Sequence, residues 1–263
     1  MRRVWFSGQV PHPATQLGMY AGWCEHRGPA NHKGAGTMAL KLYSNFVNSA
    51  GERVRIALAL KDVPYEYVSV RAIGREAYLR INPQGLMPAL DVDGRVFAQA
   101  TAILEYLEET FPTRPLLPKD PVRRGQARAF GQHITSEMHA IDVIRIRRFL
   151  YRSLKVDLDG IDLWQRHWFD VGFNTLEQHL REREHVWPFC YSDEPGWADL
   201  HLVPQVRKGI SRFNVDMTPF PLIAGIFERC RVLPAFIAAE PKNQPDFTGT
   251  WSEPPLEHGD GLV

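Results

Sequence analysis

The chain has 263 residues, 44% of them hydrophobic, which excludes wholesale disorder and is enough apolar material for one large or two modest domains. Lys and Arg total 31 against 30 Asp and Glu, and this formal charge of +1 argues against a general binder of nucleic acids or membrane surfaces. No apolar run approaches the ~20 residues that a membrane span needs. We therefore expect a cytoplasmic protein whose partners include neither a nucleic acid nor a membrane.

Metal binding is disfavoured by the spacing of the usual ligands. The three cysteines, Cys24, Cys190 and Cys230, are odd in number, widely spaced and without a C-x-x-C pair, which argues against a disulfide framework and a zinc site. His133 and His139 lie six residues apart and so fall on different faces of a helix. We predict no metal site.

Residues 1–37 differ from the rest of the chain. They are rich in Gly, Pro and His and have neither helical nor strand periodicity, whereas a well-patterned segment begins at Met38. We interpret residues 1–37 as a disordered leader, or as upstream sequence before a biological start at Met38.

From Met38 to Thr110 the pattern alternates between strand and helix. Strands are predicted at 39–43, 65–70, 89–92 and 95–98, and helices at 49–61, 75–80 and 102–110. Asp93-Gly94 separates the last two strands and tolerates the positive φ angles of a two-residue hairpin turn. The order β-α-β-α-β-β-α predicts an α/β domain over residues 38–114, with a mixed four-stranded sheet.

A proline-rich segment follows this domain. Pro115, Pro118 and Pro121 are incompatible with a helix or a central strand, so residues 115–121 are interpreted as a linker. Helical periodicity then predicts four helices, at about 122–151, 161–183, 197–211 and 221–239. The predicted fold is α/β plus all-α, with a helical domain over residues 122–241. The tail, residues 242–263, is rich in Pro, Gly and charge, and we expect it to be extended or disordered.

The start of the first predicted helix is the first candidate site. Ser49-Ala50-Gly51-Glu52 matches the S-x-x-E capping box, in which serine and glutamate side chains satisfy backbone N–H groups. A hydroxyl at a helix N-terminus also lies where an anion is favoured, so Ser49 is a candidate hydrogen-bond donor to a bound thiolate. No cysteine lies at this helix start, so a small thiol from outside the chain would be the nucleophile. Capping alone also explains these residues.

Met87-Pro88-Ala89-Leu90 is the second candidate site. A proline at the beginning of a strand is typical of an edge or of a cis turn. A cis bond before Pro88 would present the backbone of Met87 to a peptide-like ligand, whereas an ordinary bend before the strand would be purely structural.

Together these segments resemble the zeta class of the glutathione transferase superfamily, whose members include maleylacetoacetate isomerase. The resemblance extends from about Met38 to Asp246. The matching segments are Arg53-Val54-Arg55-Ile56-Ala57-Leu58-Ala59-Leu60-Lys61, Asn82-Pro83, Met87-Pro88-Ala89-Leu90, Leu104-Glu105-Tyr106-Leu107-Glu108-Glu109, Leu202-Val203-Pro204-Gln205-Val206, Arg212-Phe213 and Gln244-Pro245-Asp246. The resemblance implies a thioredoxin-like N-terminal domain followed by a helical bundle, glutathione as cofactor, and a homodimer.

The catalytic stretch of the class, Arg-Ser-Ser-Cys, is matched only in part. The aligned residues are Val47, Asn48, Ser49 and Ala50, so the cysteine is absent and the first serine is replaced by asparagine. The resemblance implies that Ser49 is the thiolate donor, and the amide of Asn48 is a second candidate donor.

The glutathione-binding residues of the class are also matched in part. The resemblance implies that Met87 and Pro88 bind the glutathione backbone. Gln99 and Ala100 align with a Gln-Ser pair that holds the γ-glutamyl end, so one hydroxyl is lost. His139 matches the histidine of an Ile-His-Pro motif and is implied to line the glutathione and acceptor site.

Two arginines are implied to bind the acceptor substrate. Arg212 aligns with an arginine that holds a substrate carboxylate, and Val47 replaces a second arginine. Such a charged hydrogen bond is worth roughly 1.5–3 kcal/mol, so its loss would weaken a dicarboxylate about tenfold or more. Arg145 can compensate if it faces the site. The alternative interpretation of the basic cluster 145–148 is a salt-bridged helix face.

The resemblance implies glutathione-dependent cis-trans isomerisation of a maleyl keto acid, maleylacetoacetate or maleylpyruvate, in aromatic or tyrosine catabolism. General transfer of glutathione to an electrophilic substrate is the nearest alternative, because Val47 weakens the case for a dicarboxylate. A non-catalytic glutathione-binding or assembly protein is a further alternative, because Asn48, Ala50 and Ala100 lack the side chains of the class.

Overall fold

The structure is a computed structural model that describes residues 38–249 and 256–257. The predicted leader, residues 1–37, and most of the tail beyond residue 249 lie outside the described residues. Four strands form one sheet in the order β2-β1-β3-β4. The strands are β1 (Leu40–Ser44), β2 (Glu66–Ser69), β3 (Ala89–Val92) and β4 (Arg95–Ala98). β1 pairs parallel with β2 and antiparallel with β3, and β3 pairs antiparallel with β4, so the predicted mixed sheet is confirmed.

The hairpin between β3 and β4 closes through the predicted two-residue turn. Asp93 and Gly94 have φ angles of 50° and 83°, the left-handed conformations that this turn requires. The Asp91 carboxylate accepts a hydrogen bond of 2.7 Å from the Gly94 N–H and so fixes the turn.

Helices flank the sheet in the first part of the chain. They are α1 (Ser49–Lys61), α2 (Val70–Ile73), α3 (Arg75–Ile81) and α4 (Ala100–Thr110). The short helix α2 is absent from the prediction, which continues the second strand to residue 70. Ser69 ends β2 and its hydroxyl caps α2 by accepting from the Ala72 N–H, so the strand is one residue shorter.

The second part is helical. It contains α5 (Pro121–Gln132), α6 (Ala140–Asp142), α7 (Ile144–Arg152), α8 (Leu158–Arg181), α9 (Trp197–Phe213), α10 (Pro221–Arg231) and α11 (Pro234–Ala239), with a π-helical turn at His133–His139 and a 3₁₀ turn at Pro241–Asn243. No helix within the described residues is long and apolar enough to cross a membrane.

Two of the four predicted helices are wrong as single helices. The one predicted over 122–151 passes through the π-helical turn and breaks at Val143, whose ψ is 153°. The hydrophobic spacing hides this break because one extended residue barely disturbs the periodicity. The one predicted over 221–239 is interrupted before Pro234, which begins α11 because a proline at the first helical position needs no N–H partner.

A continuous hydrophobic core joins the sheet to the helices, and polar links fix α1 against it. Core members include Leu42 of β1 and Ile56 of α1. The Arg55 guanidinium donates to the Ala239 carbonyl at 3.1 and 3.0 Å, which ties α1 to α11. Arg207 of α9 bridges Glu52 and Glu240 at 3.1 and 3.0 Å. These links hold the start of α1 at a fixed position beside α9.

The described part of the tail packs against the sheet. The Asp246 carboxylate accepts hydrogen bonds from the Tyr67 hydroxyl at 2.9 Å, the Ser69 hydroxyl at 2.9 Å and the Phe46 N–H at 3.3 Å. Phe247 makes an edge-to-face contact with Phe46, with ring centroids 5.4 Å apart. Up to residue 247 these contacts fix the tail against the sheet, because one carboxylate satisfies three donors, and the disordered alternative does not apply to that stretch.

We expect the substitution Asp246→Ala to lower the free energy of unfolding by about 1.5–3 kcal/mol, because hydrogen bonds to a charged acceptor are lost. Urea unfolding followed by circular dichroism measures this. Asp193→Ala, at an exposed position, is the matched control and should change stability by less than about 0.5 kcal/mol. Equal stability of the Asp246 variant and the parent would show that the tail contributes no anchoring energy.

Candidate active site

Asn48, rather than Ser49, caps the first helix. Asn48 has an extended backbone, and its side-chain oxygen accepts a hydrogen bond from the Gly51 N–H. The predicted capping box at Ser49 is wrong, since Ser49 is the first residue of α1 and Glu52 bonds to Arg207 instead. The side-chain amide of Asn48 also donates to the Met87 carbonyl at 3.5 Å. The hydroxyl of Ser49 therefore has no capping role.

The Ser49 hydroxyl contacts the histidine that ends the π-helical turn. Ser49 Oγ lies 3.3 Å from His139 Nδ1. The pKa of His139 is well below its ordinary value, first because the ring is buried and then because four nearby cations oppose a further positive charge. Those cations are Arg53, Lys208, Arg145 and Arg212. The imidazole is consequently neutral at neutral pH, with one donor and one acceptor nitrogen.

The loop before β3 and the start of α4 lie beside this pair. The Met87–Pro88 bond is cis, so the alternative of an ordinary bend is wrong. Gln99 has a φ of 75°, an unusual value for a residue other than glycine, and its side chain donates to Gln84 at 2.8 Å. Ala100 begins α4 directly after it, so the free N–H groups of the first turn of α4 border the site.

These features surround one cavity of about 290 Å³, close to the lower end of the size range for small-molecule sites. All nine predicted site residues line it, although they come from separate parts of the sequence. They are Asn48, Ser49, Met87, Pro88, Gln99, Ala100, His139, Arg145 and Arg212.

The wall of the cavity is rich in cations. Its basic residues are Arg53, Arg71, Arg145, Arg147, Lys208 and Arg212, and no Asp or Glu is found among the described residues that line it. The buried carboxylate of Asp142 pairs with one of these cations, Lys208, and accepts from Gln205 at 2.9 Å. A cavity with this excess of positive charge favours an anionic ligand.

Four of these cations, Arg53, Arg71, Arg147 and Lys208, were missed by the sequence analysis or assigned to a solvated helix face. Arg53 follows Ser49 by four residues on α1, and Lys208 precedes Arg212 by four residues on α9, so helical spacing already placed each pair on one face. Residues 145–148 were interpreted as a salt-bridged helix face. Arg147 and Arg148 are each only 4% exposed, and Arg147 lines the cavity, so this part of the helix does not face solvent.

His201 lies close to Arg53 and gives the fold a defined response to acid. Its Nδ1–H donates to the Trp197 carbonyl at 2.7 Å, and burial together with the charge of Arg53 lowers its pKa to about 3. Because the unfolded chain binds a proton below pH ~6.5 and the folded chain does not, stability is lost as pH falls from ~6.5 towards 3, by up to about 1.4 kcal/mol per unit.

We therefore expect His201→Gln to lose less stability than the parent between pH 7 and pH 5. The slope of the unfolding free energy against pH should be smaller by about 1.4 kcal/mol per pH unit, the contribution of one proton. Urea unfolding at several pH values measures the slope. His139 acts in the same direction and remains in the variant, so some dependence should persist. Parallel curves for the two proteins would contradict the assigned pKa of His201.

A comparison with known families and sequences agrees with this architecture. The profile described as "Glutathione S-transferase, N-terminal domain" matches residues 43–115. Maleylpyruvate isomerase of Ralstonia sp. is 40% identical over 79% of this chain and 99% of its own length. The zeta class glutathione S-transferase of Euphorbia esula is 41% identical over 80% of this chain and 93% of its own length.

Solved structures with bound ligands are similar throughout their length. Maleylacetoacetate isomerase of Methylobacterium extorquens, with bound malonate and glutathione, is 38% identical with a TM-score of 0.72, covering 78% of this chain and 98% of that one. The enzyme of Anaeromyxobacter dehalogenans, with bound dicarboxyethyl glutathione and citrate, is 34% identical with a TM-score of 0.71, covering 85% and 98%. The thioredoxin-like sheet followed by helices is the fold of these enzymes, and the chain belongs to the zeta class of the glutathione S-transferase family.

Proposed function

We propose that this protein is a glutathione-dependent isomerase that converts the cis double bond of a maleyl keto acid, maleylpyruvate or maleylacetoacetate, to the trans form. The observation that carries the proposal is the cavity itself, in which the Ser49 hydroxyl lies among basic side chains and no carboxylate is found in the described part of its lining. The malonate, citrate and dicarboxyethyl glutathione bound by the similar structures are polycarboxylates and support an anionic substrate.

The residues of the cavity fit glutathione. The first turn of α4, with Ala100 and Gln99, offers N–H groups and an amide to the γ-glutamyl carboxylate. The backbone at Met87 and Pro88 lines the cavity and is available to the peptide part of the ligand. Asn48 holds the Met87 carbonyl in place and so positions this loop.

Ser49 is proposed to stabilise the glutathione thiolate. An ordinary thiol has a pKa near 8.5 and is only about 3% ionised at pH 7. Lowering that pKa by about two units requires roughly 2.7 kcal/mol. The start of α1 contributes about 0.3–2 kcal/mol and a hydroxyl donor about 1.5–3 kcal/mol. Together they give about 1.8–5 kcal/mol, a range that includes the requirement, and the cations of the cavity add to it.

His139 is proposed to orient the Ser49 hydroxyl. The neutral ring can donate its Nδ1–H to Ser49 Oγ, which leaves the hydroxyl hydrogen directed elsewhere, towards a bound sulfur. The low pKa of His139 keeps the ring neutral through the physiological range, and in this arrangement the neutral ring carries its hydrogen on Nδ1.

Beyond activating the thiol, the protein has to hold the substrate while its double bond is isomerised. Bound glutathione supplies a thiolate that adds reversibly to the double bond, so that rotation about it becomes possible. Arg212 and Arg145 are proposed to hold the keto-acid carboxylate during this rotation and to favour negative charge that develops on the neighbouring carbonyl oxygen. The cycle returns the thiol and needs no oxidant.

Conjugation of glutathione to neutral electrophiles is the second candidate function, favoured by Val47, an apolar residue in the cavity wall. The test compares maleylpyruvate, with and without glutathione, against a neutral aryl halide. We expect glutathione-dependent isomerisation of maleylpyruvate with the higher kcat/KM. Conversion of the aryl halide alone would favour the second candidate, and no turnover of either would favour a non-catalytic role.

The assembly and location of the protein belong to the same proposal. Its kinship with zeta class enzymes supports a cytoplasmic homodimer, with a glutathione-binding domain at residues 38–114 and a substrate domain at residues 122–241. Sedimentation equilibrium of the full chain measures the assembly, and a monomer mass at micromolar concentration would contradict the dimer.

A further inference from the structure

Two buried cations of the cavity wall, Arg53 of α1 and Lys208 of α9, are assigned no contact with glutathione or with the substrate in the function proposed above. Arg53 is 1% exposed and Lys208 is 5% exposed, yet both line the cavity. Burial of cations is costly unless partners compensate them, so the partners of these two side chains indicate what else the cavity holds.

Arg53 has donors without protein acceptors. Its Nε and one of its terminal nitrogens, Nη2, make no hydrogen bond. Glu52 is next in sequence but bonds to Arg207, and Asp142 bonds to Lys208 and Gln205. An orphaned donor on a buried guanidinium is unfavourable, and an acceptor provided by a ligand would remove the penalty.

Lys208 shares its only described carboxylate partner. Asp142 pairs with Lys208 through one oxygen and accepts from Gln205 through the other. An ammonium group has three donors, so Lys208 retains capacity for another acceptor. Arg53, Lys208 and Asp142 together carry a net charge of +1, which one further carboxylate would neutralise.

The position of this pair relative to the site is set by the two helices. Arg53 lies one turn after Ser49 on the same face of α1, and Lys208 lies one turn before Arg212 on the same face of α9. The charges of Arg53 and Lys208 both act on His139, which contacts Ser49. The pair is therefore adjacent to the place proposed for the thiolate, and Lys208 also lies near Arg212, whose charge acts on it.

We propose that Arg53 and Lys208 form a second carboxylate subsite, which binds the carboxylate attached directly to the double bond, while Arg212 and Arg145 bind the distant one. This inference rests on the proposed function, because it assumes that the sulfur of glutathione lies at Ser49. It explains how a dicarboxylate is held although Val47 replaces a cation.

Two stable ligands test the subsite without measuring activity. S-(carboxymethyl)glutathione places a carboxylate one carbon from the sulfur, and S-isobutylglutathione is its neutral isostere. We expect calorimetry on the full chain to give at least a tenfold lower Kd for the carboxymethyl ligand. Binding of both ligands with equal Kd values would overturn the subsite and leave the proposed function standing. Binding of neither would overturn the proposed function itself.

Variants assign the preference to the two cations. Arg53→Met, and the double variant Lys208→Met with Asp142→Asn, should reduce the preference to about threefold or less while leaving the Kd of the isobutyl ligand unchanged. The double variant replaces Asp142 together with Lys208, so that no buried carboxylate is left unpaired. Each of the two variants tests the subsite independently, so the test needs only one of them to fold. Arg166→Met, whose side chain is 58% exposed and outside the cavity, is the matched control.

Arg212→Ala separates the two carboxylate subsites. It should retain the preference for the carboxymethyl ligand, because the subsite at Arg53 and Lys208 is intact. Loss of the preference in Arg212→Ala, or its persistence in both methionine variants, would overturn the inference. If neither methionine variant folds, the preference for the carboxymethyl ligand over the isobutyl ligand is compared between the wild-type protein and Arg212→Ala, and that comparison decides.

Discussion

Replacing Ser49 with alanine is expected to lower kcat for maleylpyruvate at least tenfold, while the Kd of glutathione changes little. The lost donor to the thiolate is worth about 1.5–3 kcal/mol, which corresponds to roughly a tenfold to 150-fold change in rate. The structure sharpens this expectation because the Ser49 hydroxyl is not used to cap α1, and among the described side chains its hydrogen-bonding partner is His139.

Steady-state kinetics with saturating glutathione measures the effect. Ser49→Thr keeps a hydroxyl and should recover part of the rate, whereas Ser153→Ala, at an exposed serine outside the cavity, should behave as the parent. A Ser49→Ala variant with the parental rate would move the role of thiolate donor to the Asn48 amide.

Replacing Arg212 with alanine is expected to raise KM for maleyl dicarboxylates about tenfold or more and to spare neutral electrophiles. A charged hydrogen bond to a carboxylate is lost, and a neutral acceptor never makes it. Val47 offers no charge to compensate, and Arg145 reaches the same cavity from a different helix, α7.

Paired assays of the variant with maleylpyruvate and a neutral aryl halide measure the selectivity. Arg145→Ala should show the same selectivity to a smaller or equal degree, since the two arginines share one carboxylate. An equal rise in KM for both substrates would indicate that Arg212 maintains the shape of the cavity and does not recognise charge.

The sheet and its hairpin could be predicted from the sequence because their signals are local. Asp93-Gly94 specifies a turn by its own backbone preferences, and the helix over 49–61 has a stop signal just beyond it at Pro64. Ser49, Met87 and Pro88 were reached from local patterns and the other site residues after the family resemblance was recognised, and the fold brings all nine to one cavity.

Other features could not be predicted, because they depend on contacts distant in sequence. Asn48 and Ser49 both carry oxygens able to cap a helix, and only the backbone at Asn48 decides between them. Glu52 pairs with Arg207, which lies on a helix far along the chain, instead of capping α1 as predicted. Asp246 likewise anchors the tail through donors on β2 and before α1.

The cations of the cavity were overlooked for a different reason. Arg53 lies inside a segment that matches the class's first helix, so its burial and its missing partners have no signature in the sequence. Lys208 resembles any solvent-facing lysine until Asp142 is seen beside it. A helical-wheel comparison with Ser49 and Arg212 would have drawn attention to both residues.

Activation of the glutathione thiol by this cavity is tested most directly by a pH titration of the ultraviolet thiolate absorbance of glutathione bound to the full chain, with Ser49→Ala titrated in parallel. We expect a thiolate band that persists below neutral pH in the parent and moves to higher pH in the variant. Glutathione that binds but ionises near its ordinary pKa of about 8.5 in the parent would contradict the claim.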